Sequence, residues 1–480
     1  MAPDTGHTHE VEDDMISKLN DDVLLSILEN VNLATSMRAS VLSKRWRCLP
    51  WLLTQLSIDI KDFLHEPYAD PKLDDHIDKA MSSLTEAVRI MLAPTHRKSI
   101  ITRLCILFFV TSGYSSKIGH LVNEAIENEM VKDVELASGL EMMPGDISDE
   151  DMVKHADSVN SFFGNYSNIY CCLTSLSLYN ASFAESDLHN ILANMCTQLH
   201  YLYLYHCDTG YDSLFKINAP NSKLNVLEFS YCSFDRVDLI CLPKLKQLIC
   251  GFWLSRYLPL TLGDVPCLKE VEIYAATTHH EPFKLSELLC GTTCIDSLTL
   301  DFYGRKIWLQ PEQGQLRSAF RNLRELRLHD IFVGFGLMWT TALLEAAPSI
   351  EILKVEVYDH RCEDEEKKKQ IYGERTNAPW QVSDTAHPQH PSLKELQLFG
   401  FNATEQHMAF IGAIMERASN LQIVLLKEQY CDYCNAISTT FGECGFPKNE
   451  GEQELVVDNI RNRFSFRAQI IFSGHKLCSD

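Results

Sequence analysis

One arrangement of apolar and polar positions recurs along this chain: an apolar residue, two free positions, a second apolar residue, one free position and a third. It starts at Ile101, Val131, Leu173, Leu199, Leu224, Leu245, Leu268, Ile295, Leu323, Ile350, Leu393 and Leu421. From Leu173 to Ile350 the successive starts lie 26, 25, 21, 23, 27, 28 and 27 residues apart. A spacing of about 20–29 residues predicts one short strand per repeat, with its apolar side chains in a shared core and its backbone paired to the next repeat in a parallel sheet. No repeat can bury its apolar face alone, so such an array is stable only when stacked. Pro243, Pro266, Pro348 and Pro391 each stand two residues before a start, where a missing N–H donor interrupts no ladder.

Two intervals are long. Residues 139–166 separate the second start from the third, and residues 361–390 separate the tenth from the eleventh. The later one holds Glu363-Asp364-Glu365-Glu366-Lys367-Lys368-Lys369 and then Pro379 and Pro388, which predicts a charged, mobile surface loop after a short helical extension. Cys207 and Cys232 stand where this type of repeat carries Asn or Cys. An amphipathic helix around Glu452 to Arg463 and an apolar strand around Phe466 to Phe472 are expected to close the open end of the stack. The predicted fold is α/β: a small helical module followed by a leucine-rich-repeat solenoid. Its curved parallel sheet would carry helices or irregular turns on the convex side.

In the helical module, Val23, Leu24, Ile27, Leu28 and Val31 fall on one helical face. Asn20 is a good N-cap, and Asp21 and Asp22 suit the positive end of a helix. A second start signal at Thr35-Ser36 leads through Val41 and Leu42 to Ser43-Lys44-Arg45-Trp46-Arg47, and Leu49-Pro50 ends the run. A module of about 40 residues is marginal alone, and its apolar surface is expected to lack internal cover. The strings Leu19-Asn20-Asp21-Asp22-Val23-Leu24-Leu25-Ser26-Ile27-Leu28 and Ala39-Ser40-Val41-Leu42-Ser43-Lys44-Arg45-Trp46-Arg47 resemble an F-box. Together with the repeats they make the chain similar to the plant F-box/leucine-rich-repeat proteins. The resemblance implies docking on a Skp-family adaptor, and through it on a cullin, by Leu19, Asn20, Val23, Leu24, Ile27, Leu28, Val41, Leu42 and Trp46. The chain departs from that pattern at Asn20, where the family usually has a proline that opens the first helix and touches the adaptor. Leu393 to Phe401 and Ile414 to Leu421 are similar to the C-terminal region called FBD in the same family. The expected organisation is a tail over residues 1–14, an F-box over 15–56, a linker helix and first repeat over 57–130, and repeats over 131–430 with a mobile loop at 361–390. FBD-like repeats and a cap follow over 393–480.

Charge narrows the partners. The 480 residues carry 43 Lys and Arg against 65 Asp and Glu, a formal net charge of −22. A nucleic-acid binder needs a basic stripe, and the longest basic run here, Lys367 to Lys369, directly follows four acidic residues. The same acidity opposes anionic membrane surfaces, and the most apolar run, Leu104 to Val110, is too short to span a bilayer. The 17 cysteines are odd in number and scattered among apolar residues, and the first residues lack an apolar signal segment. The expectation is a reducing compartment, cytoplasmic, nuclear or both. No phosphate-binding loop, nucleophile elbow or zinc-protease helix occurs in the sequence. Cys431-x-x-Cys434, with Cys444 nearby, lacks a fourth ligand at a zinc-site spacing, and His279-His280-Glu281 and His387-x-x-His390 read as loop residues. No catalytic residue, metal or cofactor is expected.

Residues between and just after the inward apolar positions are expected on the open, concave face. Tyr179, Tyr205, Tyr231, Phe252, Tyr274 and Phe302 take identical or adjacent places in successive repeats, and Tyr201 and Tyr203 join them. Glu228, Glu270, Glu272, Asp301 and Glu325 lie alongside. Tyrosine offers a large contact area with few rotors, so these aromatics are the expected target-binding residues. Their acidic neighbours suit a basic, partly extended protein segment. The competing expectation is that the rings pack on one another and stiffen the sheet. With the resemblance, the expected function is a non-catalytic substrate-recognition subunit of an SCF-type ubiquitin ligase; the alternative is a repeat scaffold outside any ligase.

Overall fold

Each of the apolar starts leads into a strand, because its second and third apolar residues alternate with polar ones at the period of an extended chain. The structure, a computed structural model, describes residues 16–64, 74–95, 97, 99–110, 112–210, 213–253, 255–274, 281–304, 306–312, 314–359, 364–372, 389–428, 445–464 and 467–474. It divides into two compact units: described residues up to 139 with 161–173, and residues 140–160 with 174 onward.

The first unit opens with helices α1 (Asp21–Glu29) and α2 (Leu33–Ala39). The Asn20 side chain accepts the Val23 N–H at 2.9 Å, and Asn32 accepts the Thr35 N–H at 2.9 Å. The second cap is therefore Asn32, earlier than the Thr35-Ser36 signal. Three parallel strands follow: β1 (Gln55–Asp59), β2 (Ile101–Phe108) and β3 (Val131–Ser138). Leu56, Leu104 and Val134 stand in register, as do Ile58, Ile106 and Leu136, and all are buried. β1 extends the array one repeat beyond the expected start, since Leu53, Leu56 and Ile58 carry the same spacing. Helices α3 (Asp74–Met91) and α4 (Ser112–Glu127) join these strands.

The second unit contains β4 (Leu173–Ser182), β5 (Tyr201–Asp208), β6 (Ser213–Asn218), β7 (Val226–Ser230), β8 (Phe234–Cys241), β9 (Gln247–Gly251) and β10 (Leu260–Asp264). It continues with β11 (Glu270–Tyr274), β12 (Ser297–Asp301), β13 (Glu325–Phe332), β14 (Ile352–Tyr358), β15 (Glu395–Phe399), β16 (Ile423–Lys427) and β17 (Gln469–Ser473). The main sheet is parallel in the order β4-β5-β7-β9-β11-β12-β13-β14-β15-β16-β17. One in-register ladder of inward residues runs Leu176, Leu202, Leu227, Leu248, Val271, Leu298, Leu326, Leu353, Leu396 and Val424, all buried.

A second parallel sheet, β10-β8-β6, differs from the helices or turns expected between the repeat strands. These segments return as strands because alternation buries Phe215 and Ile217 on β6, and Val237 and Leu239 on β8, which a turn could not do. The chain leaves the main sheet through left-handed residues at a recurring place: Asn180, His206, Tyr231, Phe252 and Asp330 have φ of 51°, 49°, 54°, 48° and 53°. Each is the seventh residue after its repeat start. The Cys207 and Cys232 thiols, both buried, each reach back 3.4 Å to a carbonyl of the preceding repeat, Leu178 and Leu204.

The charged interval carries a helix, Glu365–Tyr372. The rest of that interval's centre, with Pro379, Pro388 and His387, lies outside the described residues, as do Cys431, Cys434, Cys444, His279 and His280. His390 is described and buried. The closing helix spans Glu450–Arg463, and β17 pairs with β16. Among the described residues no helix is long and apolar enough to cross a membrane.

Candidate functional site

The N-terminal apolar residues separate into two groups. Leu24, Leu28, Trp46, Leu49 and Leu53 form a closed cluster, against which Leu19, Leu25 and Ala39 pack. This corrects the expectation of an uncovered helix face for Leu24 and Leu28: the turn after α2 folds the Trp46 ring back over α1. Arg45 fixes that turn, with its guanidinium 2.6 Å from the Asp21 carboxylate and donating to the Leu19 carbonyl at 2.5 Å. Val41 (80% exposed), Leu42 (69%), Val23 (43%), Ile27 (43%) and Val31 (39%) stay open. Asn20 is exposed and spends its side chain on the α1 cap.

The same unit holds a buried cation. Arg97 is 5% exposed, and its guanidinium donates to the carbonyls of Met91 at 3.1 Å and Leu53 at 2.5 Å, with Pro50 at 3.5 Å. These carbonyls lie at or near the ends of α3 and the 3-10 turn Leu49–Leu52, where helical acceptors lack partners. Burial draws the Arg97 pKa down to about 10.

On the open face of the second unit, cross-strand register sets the rows. The middle row runs Tyr203, Glu228, Ile249, Glu272, Thr299, Arg327, Lys354, Gln397 and Leu425. Rings form a chain across its aromatic end: Tyr179 to Tyr203 at 5.6 Å, Tyr205 to Tyr231 at 5.4 Å, Tyr231 stacked on Phe252 at 4.4 Å and 7°, and Phe252 edge-on to Tyr303 at 5.4 Å. Tyr179, Tyr201, Tyr203, Tyr231, Phe252 and Tyr274 are half-buried. Holding Tyr231 and Phe252 in the left-handed region costs roughly 1–2 kcal/mol each, so the rings are placed by strained backbone.

Two expected face residues are buried. Phe302 is 1% exposed and packs between Trp308 and Trp339, at 5.4 and 5.6 Å. In its repeat the left-handed turn falls one residue later, at Tyr303 and Gly304, so Phe302 still points inward and Tyr303 takes the place on the face. Tyr205 is 5% exposed, packed against the rings of Tyr179, Tyr203 and Tyr231, with the Met143 sulfur 3.8 Å from its phenol oxygen. Neither the displaced turn nor the Met143 contact is legible in the repeat pattern.

The face is also less uniformly acidic than expected. Burial works against the Glu325 carboxylate, but Arg327 at 2.8 Å and Lys354 at 2.7 Å outweigh it and hold its pKa low. Around the tyrosines, among the described residues, no Lys or Arg side chain forms an ion pair with Glu228 or Glu272. Tyr201 donates to Glu228 at 2.8 Å, Tyr274 donates to Glu272, and Glu272 also accepts from Gln247 at 3.1 Å. Burial raises the Glu228 pKa, the Tyr201 bond opposes it, and the charges of Glu272 and Glu141 add to it. Burial also pushes the Tyr201, Tyr203 and Tyr274 phenols up, and Tyr205 to about 12, so these hydroxyls remain donors at neutral pH. Among the described residues no group of His, Cys, Asp and Glu is arranged to hold a metal.

Comparison with known families agrees with this layout. The family model described as the At1g61320/AtMIF1 LRR domain matches residues 151–457, and the F-box domain model matches residues 16–49. No curated protein matches the sequence.

Proposed function

The chain belongs to the At1g61320/AtMIF1 leucine-rich-repeat family and carries an F-box domain, and from that premise we propose that it is the substrate-recognition subunit of an SCF-type ubiquitin ligase. F-box domains generally bind Skp-family adaptors, and repeat sheets of this kind offer a protein-binding face. The observation that carries the reading is the exposure of Val23, Ile27, Val31, Val41 and Leu42 inside the matched F-box. The adaptor covers these side chains and links the chain to a cullin, while the open face of the repeats holds a target protein. The chain then contributes no catalytic group. It accelerates transfer by keeping a target lysine close to a conjugating enzyme carried elsewhere on the scaffold, in the cytoplasm or nucleus.

Reconstitution tests this. Full-length protein mixed with a purified Skp-family adaptor and cullin should co-elute as one complex, and the variant lacking residues 16–49 should not. Absence of a complex with the intact chain would favour the second reading, a repeat scaffold outside any ligase. The Asn20 departure bears on that choice, because the helix cap it forms is intact at 2.9 Å while the proline contact to an adaptor is missing.

A further inference from the structure

Tyrosine-to-glutamate hydrogen bonds recur on the open sheet face, across strands from Tyr201 to Glu228, within β11 from Tyr274 to Glu272, and from Tyr203 to Glu141 at 3.5 Å. Glu228 and Glu272 stand in the middle row, on β7 and β11, with only Ile249 of β9 between them. The side chains at that level are half-buried and point away from the leucine core, whose neighbouring residues Leu227, Phe229, Val271 and Ile273 are buried. Neighbouring strands lie about 4.8 Å apart, so the two carboxylates are separated by roughly 10 Å at the backbone.

The charge on this part of the face is unbalanced. Among the described residues no ion pair reaches Glu141, Glu228, Glu270 or Glu272. The nearest cation along the row, Arg327, is bound to Glu325 at 2.8 Å and reaches Glu270 and Glu272 only as a weaker charge. Further along, the row becomes basic and then apolar, with Lys354, Gln397 and Leu425. A cationic ligand is thus matched at β7 to β11 and nowhere else in the row. Tyrosine rings beside each carboxylate add a flat π surface, which favours a guanidinium over a compact ammonium.

We infer that the Tyr201–Glu228 and Tyr274–Glu272 units are paired subsites for two arginines placed three residues apart on an extended segment of the target protein. In polyproline-II geometry an extended chain rises about 3.1 Å per residue with about three residues per turn, so side chains three residues apart face the same way at roughly the distance that separates the subsites. The two residues between them pass over Ile249 and are apolar. This rests on the reading above that the repeats hold the target.

The test uses the full-length protein and a fluorescein-labelled Ser-Gly-Arg-Ala-Leu-Arg-Gly-Ser peptide, with binding followed by fluorescence polarisation near physiological salt, where diffuse attraction is screened. Control peptides have the same composition with the arginines adjacent or five residues apart. Saturable binding at least about tenfold tighter than for either control supports the paired subsites. Glu228→Gln and Glu272→Gln should each weaken it about fivefold or more, while Glu416→Gln and Glu454→Gln, exposed carboxylates off the face, should leave it unchanged. Equal affinity for all three spacings would overturn the inference, as would equal losses in the face and off-face variants, since both would mean general attraction to a chain of charge −22. The spacing series needs only the wild-type protein, so the inference stays testable if a variant misfolds. Adaptor binding reads the ligase assignment separately, and a protein that binds adaptor yet ignores arginine spacing would refute this inference alone.

Discussion

Exposure within the F-box separates residues that hold the module together from residues able to hold a partner, and the two should respond oppositely to truncation. Val41 is 80% exposed and Leu42 69%, whereas Leu24 is fully buried. Alanine removes two carbons from Val41 and three from Leu42. At about 0.8 kcal/mol per buried carbon, scaled by the fraction still open to be covered, these losses are about 1.3 and 1.7 kcal/mol of docking energy. The pair together should raise the Kd for a Skp-family adaptor roughly 150-fold. The fold should barely notice, with unfolding free energy within about 0.5 kcal/mol of wild type. Leu24→Ala reverses the pattern, opening a cavity beneath Trp46 and costing about 2–5 kcal/mol of stability. Isothermal titration calorimetry against purified adaptor, paired with denaturant unfolding of each variant, reads both effects. A Val41→Ala/Leu42→Ala double variant that binds within twofold of wild type would refute the assignment of these two residues.

Arg97→Met strands the Leu53, Met91 and Pro50 carbonyls while relieving the burial of a charge, for a net loss of about 3 kcal/mol. Hydrogen exchange should quicken at amides of residues 49–60 and not at those of the second unit's sheet; unchanged protection would show the guanidinium to be dispensable. His329 makes stability depend on pH. Burial opposes its imidazolium, but the bond to Glu356 at 2.6 Å and the charges of Glu356, Asp301 and Asp330 prevail and raise its pKa above 6.5. Its stabilising share is therefore complete below the unfolded value of about 6.5 and fades as pH climbs through the higher folded value. Urea melts between pH 6 and 8.5 should show wild type losing its advantage over His329→Gln across that window, and a constant difference would contradict the ion pair.

The repeat architecture was legible from the chain alone. The apolar spacing located every strand start it marked, because a side chain one or two residues along an extended backbone has its face set by geometry. The F-box strings likewise marked the module that the family comparison places at residues 16–49. Leu53, Leu56 and Ile58 carried the same signal for β1, and only their distance from the next start at Ile101 hid it.

Tertiary structure decided which of the remaining residues are covered. Periodicity states only that Tyr205 points away from the leucine core; that the sulfur of Met143, 62 residues earlier, meets its phenol depends on the path of a distant segment. Phe302 enters the core because its repeat turns one residue late and because Trp308 and Trp339 are there to receive it. In α1, Val23, Leu24, Ile27 and Leu28 look alike in the sequence, yet Trp46 folds over two of them and leaves two open. Facing is a local property of a strand or helix, fixed by backbone period. Cover is a property of two segments that meet only in the fold, and it alone divides apolar side chains into core and open surface.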